Sequence, residues 1–240
     1  MTALRNTSAL RLLVRGAVQG VGFRPFVFRE AVHQGLRGWV RNTAAGVEIV
    51  VHGPSDLVTA FPDTIRRLAP NPARVDGIET ETFAFDTAPA DFRILESSSD
   101  GEKHASIVPD LATCPACLAE LRDPGNRRFR YPFTNCTACG PRYSIMHRLP
   151  YDRARTTMHG FRQCPECRQE FDDPSDRRFH AQPNACPVCG PQLVLWDRQG
   201  RPIAGKHDAI LEAVHCLRNG GIVAVKGIGG FHLFADATRD

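Results

Sequence analysis

Cysteine spacing leaves this chain few ways to fold. C-x2-C-x18-C-x2-C occurs twice, at Cys114, Cys117, Cys136 and Cys139 and again at Cys164, Cys167, Cys186 and Cys189. Each C-x-x-C turn offers two thiolates from one bend, and two such turns complete a tetrahedron, so the four pairs predict two zinc ions. Proline inside three of the pairs pre-sets the bend, and Gly140 and Gly190 let the chain pass the last sulfur. Four sulfurs per ion leave no position for water, which gives the zinc a structural task. Spacing leaves open whether each ion draws on one repeat or takes one pair from each. Redox dithiols are the competing use of C-x-x-C, but duplicated pairs exceed what a redox motif needs.

The repeat is wider than its cysteines. "CPACLAELRDPGNRRFRYPFTNCTACGP" from Cys114 returns fifty residues on as "CPECRQEFDDPSDRRFHAQPNACPVCGP". The arginines at 127–130 and at Arg177 and Arg178 read as solvated surface groups, with contact to a partner or RNA as the alternative. The formal charge of +4 falls to about zero once eight thiolates hold two Zn²⁺, so the overall balance does not call for nucleic acid. No apolar run approaches the roughly 20 residues of a membrane span. "MTALRNTSALRLLV" lacks a signal-peptide core, and cysteines used as ligands suit the cytoplasm. With both tetrahedra filled, His147, His159 and His180 are given surface or packing roles, and Cys216 is placed in a core.

Residues 9–96 alternate between strand and helix patterns. "ALRLLVRGAV" reads as a strand, "RPFVFREAVHQGL" as a helix with Phe28, Val32 and Leu36 on one stripe, and "GWVRN" and "GVEIVVHG" as a hairpin around "TAAG". "SDLVTAFPDTIRRL" starts a second helix at a capping Ser55, which Pro62 is expected to break or kink. "VDGIETETFAF" and "DFRILE" supply closing strand material. This order is the ferredoxin-like βαββαβ of an α+β domain. Residues 97–105 are polar and turn-rich and read as a linker, and 106–200 hold the duplicated finger region. From 205 to 240 an amphipathic helix and an apolar strand with a glycine turn read as the opening of an α/β domain.

Gly16, Gly20 and Gly22 lie at the first strand-to-helix junction, where backbone N–H groups and the helix dipole can cradle phosphate oxygens and Arg24 can aim a fork of donors. No Gly-Lys-Ser/Thr follows, so this is not a Walker loop. "VRGAVQGVGFRP" and "GWVRNTAAGVEI" resemble the two signatures of the acylphosphatase family. That resemblance implies a phosphate-binding loop of Gln19, Gly20, Val21, Gly22, Phe23 and Arg24, with Asn42 orienting the attacking water. An acyl phosphate releases a carboxylate or carbamate, whose low basicity makes a general acid unnecessary, so hydrolysis without a metal is expected.

The order of acylphosphatase-like domain, two four-cysteine fingers and "GGIVAVKGIGGFHL" resembles the HypF family of carbamoyltransferases in [NiFe]-hydrogenase maturation. "PFTNCTACGPRYSI", "LPYDRARTTM" and "RRFHAQPNACPVCGP" carry that likeness through the finger region. It implies release of carbamate from carbamoyl phosphate, ATP- and Mg-dependent activation in a YrdC-like domain, and transfer to the partner HypE. Lys226 would lie near the nucleotide site, and the YrdC-like region could touch RNA. The chain stops at Asp240, so only the first step is expected of it alone. A zinc-stabilised RNA- or protein-binding module with a non-catalytic phosphate loop, or a free-acting acylphosphatase, is the alternative.

Overall fold

The computed structural model describes residues 6–99 and 105–238. Residues 100–104 of the expected linker lie outside that set. Contacts divide the chain into two compact units, one of Met1–Cys114 with Asn135–Asn184, the other of Pro115–Thr134 with Ala185–Asp240.

The first unit is built on a five-stranded sheet in the order β4-β1-β3-β2-β5. Its elements are β1 (Thr7–Ala17), α1 (Phe23–His33), β2 (Arg37–Asn42), β3 (Val47–Pro54), α2 (Ser55–Leu68), β4 (Arg74–Thr82) and β5 (Phe92–Ile94). β1 pairs antiparallel with β3 and β4, and β2 antiparallel with β3, as the ferredoxin-like order requires. "DFRILE" is an added edge, β5, parallel to β2. Alternate residues Leu12 and Val14 of β1 and Val47, Ile49 and Val51 of β3 face the helices, and all five are fully buried.

Several local expectations change in three dimensions. The buried face of α1 is Phe23, Val27 and Ala31; of the expected stripe, Phe28 is only partly buried, Val32 is 52% exposed, and Leu36 is buried but lies beyond the helix, which ends at His33. Ser55 does not cap α2. It is the first helical residue, and its hydroxyl donates to the Asn6 carbonyl. Pro62 leaves the helix uninterrupted, since Val58, Phe61 and Ile65 at i, i+3 and i+7 hold it to the sheet. Ser97 and Ser98, assigned to the linker, follow β2 instead: the Ser98 N–H donates to the Asn42 carbonyl.

The second unit contains the helices α3 (Pro115–Arg122) and α5 (Lys206–Arg218) and the hairpins β6–β7 (Val194–Trp196, Pro202–Gly205) and β8–β9 (Val223–Lys226, Phe231–Phe234). Here Arg128 is 2% exposed and donates through Nε to the Ala185 carbonyl at 2.9 Å. In the first unit, which also holds α4 (Pro165–Asp172), the repeat-equivalent Arg178 is 3% exposed and donates to the Asn135 carbonyl at 3.0 Å. Each repeat's second arginine thus binds the residue before the other repeat's second knuckle. These two are buried structural groups, not the solvated ones expected. Cys216 is exposed on α5, whose buried residue is Ala209.

Candidate functional site

The loop before α1 turns through Gly20 and Gly22, both left-handed at φ +74° and +72°. L side chains rarely adopt that conformation, and a Cβ would also press on Arg142 and Tyr151 at Gly20 or on Thr137 at Gly22. Gly16 belongs to the sheet instead, at a bulge where a Cβ would strike the Arg74 carbonyl of β4. Val21 and Phe23 turn their side chains into the core. Their backbones lead into the first turn of α1, whose N–H groups have no helical acceptor.

Gln19 is 1% exposed, and its side chain is fully engaged. Its amide nitrogen donates to the Thr43 and Gly46 carbonyls, and its amide oxygen accepts from the Tyr151 N–H at 2.8 Å. As a side chain it is an anchor for the Tyr151 segment, not a phosphate ligand.

Arg24 on α1 and Asn42 at the end of β2 converge. Arg24 Nη2 and Asn42 Nδ2 donate to one acceptor, the Tyr151 carbonyl oxygen, at 3.4 and 3.1 Å. Arg24 also pairs with Asp152 at 2.8 Å and reaches the Ser97 hydroxyl at 3.3 Å. Asn42 Oδ1 is buried and has no hydrogen-bond partner among the described residues. A buried acceptor without a donor is costly, and a water molecule would satisfy it. The recess around these groups includes Thr137, Arg142, Tyr151 and His180, none of which sequence reading placed there. The only signal was the quoted "PFTNCTACGPRYSI", "LPYDRARTTM" and "RRFHAQPNACPVCGP", to which no site role was given.

Arg142 supports the loop. It is 1% exposed, and its guanidinium donates to the carbonyls of Gly20, Cys136, Thr137, Cys139 and Pro141. Burial pushes the Tyr151 phenol up to about 12, so it stays a neutral wall of the recess.

His180 packs its ring against Phe171 and Phe179. Burial, and then the charge of Arg24, lower its pKa to about 4. An unfolded histidine titrates near 6.5. Between those values the unfolded chain holds the proton and the folded chain does not. Stability present above that window is therefore lost as pH falls through it, by about 3 kcal/mol. His180→Gln should flatten this part of a denaturant series against pH. A wild-type series parallel to the variant's would contradict the assignment.

The sulfurs gather by sequence, Cys114 with Cys117, Cys136 and Cys139, and Cys164 with Cys167, Cys186 and Cys189, each set within 4.8 Å. This answers the open question of pairing in favour of one repeat per site. Cys114–Cys136, Cys136–Cys139 and Cys186–Cys189 Sγ separations are each 3.8 Å. A tetrahedron with metal–sulfur bonds of about 2.3 Å has edges of about 3.8 Å, so both sets fit a metal ion. The Ala138 and Val188 N–H groups donate to the Cys136 and Cys186 sulfurs, which stabilises thiolate charge. Lys226 ends β8 as an exposed side chain, and the Gly227 N–H crosses the hairpin to the Gly230 carbonyl. Among the described residues no helix is long and apolar enough to cross a membrane.

Two family models match the chain, acylphosphatase over residues 10–94 and the HypF finger over 113–146 and 164–196. The carbamoyltransferase HypF of Synechocystis sp. is 56% identical over 225 residues, which cover 94% of this chain and 29% of that protein. An acylphosphatase of Rhizobium etli is 41% identical over 90 residues, 37% of this chain and 95% of that one. A crystal structure of full-length HypF in a phosphate- and nucleotide-bound form superposes with a TM-score of 0.87 at 41% identity, covering 100% of this chain and 31% of that one. The chain thus spans about a third or less of the length of these HypF proteins.

Proposed function

The chain belongs to the HypF family, with an acylphosphatase domain joined to a HypF finger, and from that premise we propose that Arg24, Asn42 and the glycine loop hydrolyse carbamoyl phosphate. The observation that carries this reading is the convergence of Arg24 and Asn42 on one oxygen, the Tyr151 carbonyl. Two donors that converge beside a carboxylate, the Asp152 group on the same Arg24 nitrogen, mark a position where a phosphoryl oxygen would sit once that carboxylate turns away. The loop N–H groups of Gly20, Val21, Gly22 and Phe23 would share the remaining phosphate charge.

In this reading, Asn42 Oδ1 accepts a hydrogen bond from the attacking water and holds it in line with phosphorus. The water oxygen bonds to phosphorus as the bond to the carbamate oxygen breaks, carbamate leaves with the electron pair, and the water's proton passes to an oxygen of the phosphate product. Alignment and charge stabilisation are all the protein need add, as for other loose phosphoryl transfers.

Two zinc ions are proposed for the two cysteine sets, as structural elements that complete the fingers; the sulfur geometry supports closed sites without an open coordination position. Elemental analysis should find two zinc equivalents per chain, and Cys167→Ser should lose one of them. Use of thiols as ligands supports a cytoplasmic setting. Released carbamate would pass to regions of the HypF relatives that this chain does not span, for activation with ATP and Mg²⁺ and transfer to HypE. Residues 205–240 are read as the first part of a YrdC-like domain with Lys226 near its nucleotide. The exposure of Phe231 and Leu233, at 68% and 76%, suits a hairpin that is one edge of a larger sheet.

The test is phosphate release from carbamoyl phosphate by the zinc-loaded chain, beside Asn42→Ala. Turnover in the wild type that falls about 100-fold or more in the variant is expected. Equal rates would remove Asn42 from the mechanism.

A further inference from the structure

The groups assigned to substrate are already paired. Arg24 gives its shortest hydrogen bond to the Asp152 carboxylate, at 2.8 Å, and Asn42 gives its amide proton to the Tyr151 carbonyl, at 3.1 Å. Two consecutive residues therefore occupy the Arg24 fork and the Asn42 amide nitrogen, while Asn42 Oδ1 stays without a partner among the described residues. A carboxylate on a guanidinium repeats, with one fewer charge, what a phosphate would do there.

The segment that supplies these groups is fixed in place. The Tyr151 N–H donates to Gln19 Oε1 at 2.8 Å, and the Tyr151 side chain is 1% exposed. One residue beyond Asp152, the Arg153 N–H donates to Gln182 Oε1 at 2.8 Å, and the Arg153 guanidinium reaches the Gln182, Asn184 and Phe161 carbonyls. Between these two anchors the Asp152 side chain remains 23% exposed, and it does not cap the turn of helix that follows it. Its carboxylate can turn outward without undoing the backbone.

We propose that Asp152 is an internal competitor that occupies Arg24 until a phosphate displaces it, and so sets how tightly the site holds phosphate. This rests on the phosphate-site reading above. An anion must compete with the carboxylate for Arg24, so its apparent affinity is lowered by the fraction of molecules in which the pair is closed. The competition lowers the affinity of any anion at Arg24 by the same factor, and it thereby assists release of the phosphate product. After displacement, the carboxylate faces a dianion at short range, which raises the free energy of the phosphate-bound state relative to the neutral amide of Asn.

The experiment measures inorganic phosphate binding to the full zinc-loaded chain by calorimetry, for wild type, Asp152→Asn, Asp152→Ala and Arg24→Ala. Binding about tenfold tighter in both Asp152 variants, and lost in Arg24→Ala, is the expected result. Steady-state kinetics on carbamoyl phosphate should show a lower KM and stronger product inhibition in the Asp152 variants, a split that a purely structural role would not produce. Phosphate affinity that is unchanged or weaker in both Asp152 variants, yet still abolished in Arg24→Ala, would overturn the competition while leaving the phosphate site intact. Absence of phosphate binding in wild type and Asp152 variants alike, with two zinc equivalents retained, would overturn the phosphate-site reading and this inference with it.

Discussion

Arg24→Ala is expected to lower phosphate release from carbamoyl phosphate by about 100- to 1,000-fold, the usual cost of deleting one donor aimed at developing charge. The guanidinium lies in α1, 8% exposed, with the Asp152 carboxylate and the Tyr151 carbonyl within reach of one of its nitrogens. Alanine removes the fork and leaves the glycine loop, so residual activity measures what backbone N–H groups and Asn42 do unaided. Arg24→Lys should recover little, because an ammonium is a point charge that cannot present two parallel donors. Initial rates of phosphate release provide the measurement. An Arg24→Ala rate within about threefold of wild type would place the phosphate elsewhere.

Arg142→Met should be the most destabilising single change near the site. Its guanidinium joins the Gly20 carbonyl to carbonyls within the second knuckle of the first repeat, at Cys136, Thr137 and Cys139. Methionine keeps most of the volume but leaves those oxygens buried without donors. A loss of about 3–5 kcal/mol in denaturant unfolding is expected, as for breaking other buried charged networks. Arg142→Lys should rescue only a minor part, since three donors on one nitrogen cannot reach five carbonyls. A loss below about 1 kcal/mol would mean that water replaces the guanidinium at little cost.

Local chemistry explains why some of this was legible in the chain alone. The cysteine sets could be read because four ligands at fixed short spacing answer to metal geometry and little else. Arg24 and Asn42, which the structure brings onto one carbonyl oxygen, could be singled out because their two stretches resemble acylphosphatase signatures, and the βαββαβ order followed from alternating patterns. Asp152 and Tyr151 could not, because their partners Arg24 and Asn42 lie 128 and 109 residues away in sequence. No periodicity records such a contact. The misreadings have the same origin: Val32, Ser55 and Pro62 were judged by helix rules that packing against the sheet overrode. Arg128 and Arg178 were judged by average exposure, which says nothing about an arginine that a buried carbonyl awaits. Gln19 stood inside the phosphate-loop signature, but its side chain serves as a tether.

The two crossed arginine bonds have a consequence for the order in which the chain matures on the ribosome. Arg128 finds its carbonyl at Ala185, 57 residues later, and the acceptor for Arg178 is Asn135, made 43 residues earlier. The first finger therefore emerges before that acceptor for its buried cation exists, and this hydrogen bond forms only after the second has been synthesised. The tandem copies are tied by reciprocal bonds, so removing either would take away a carbonyl that an arginine of the other now holds.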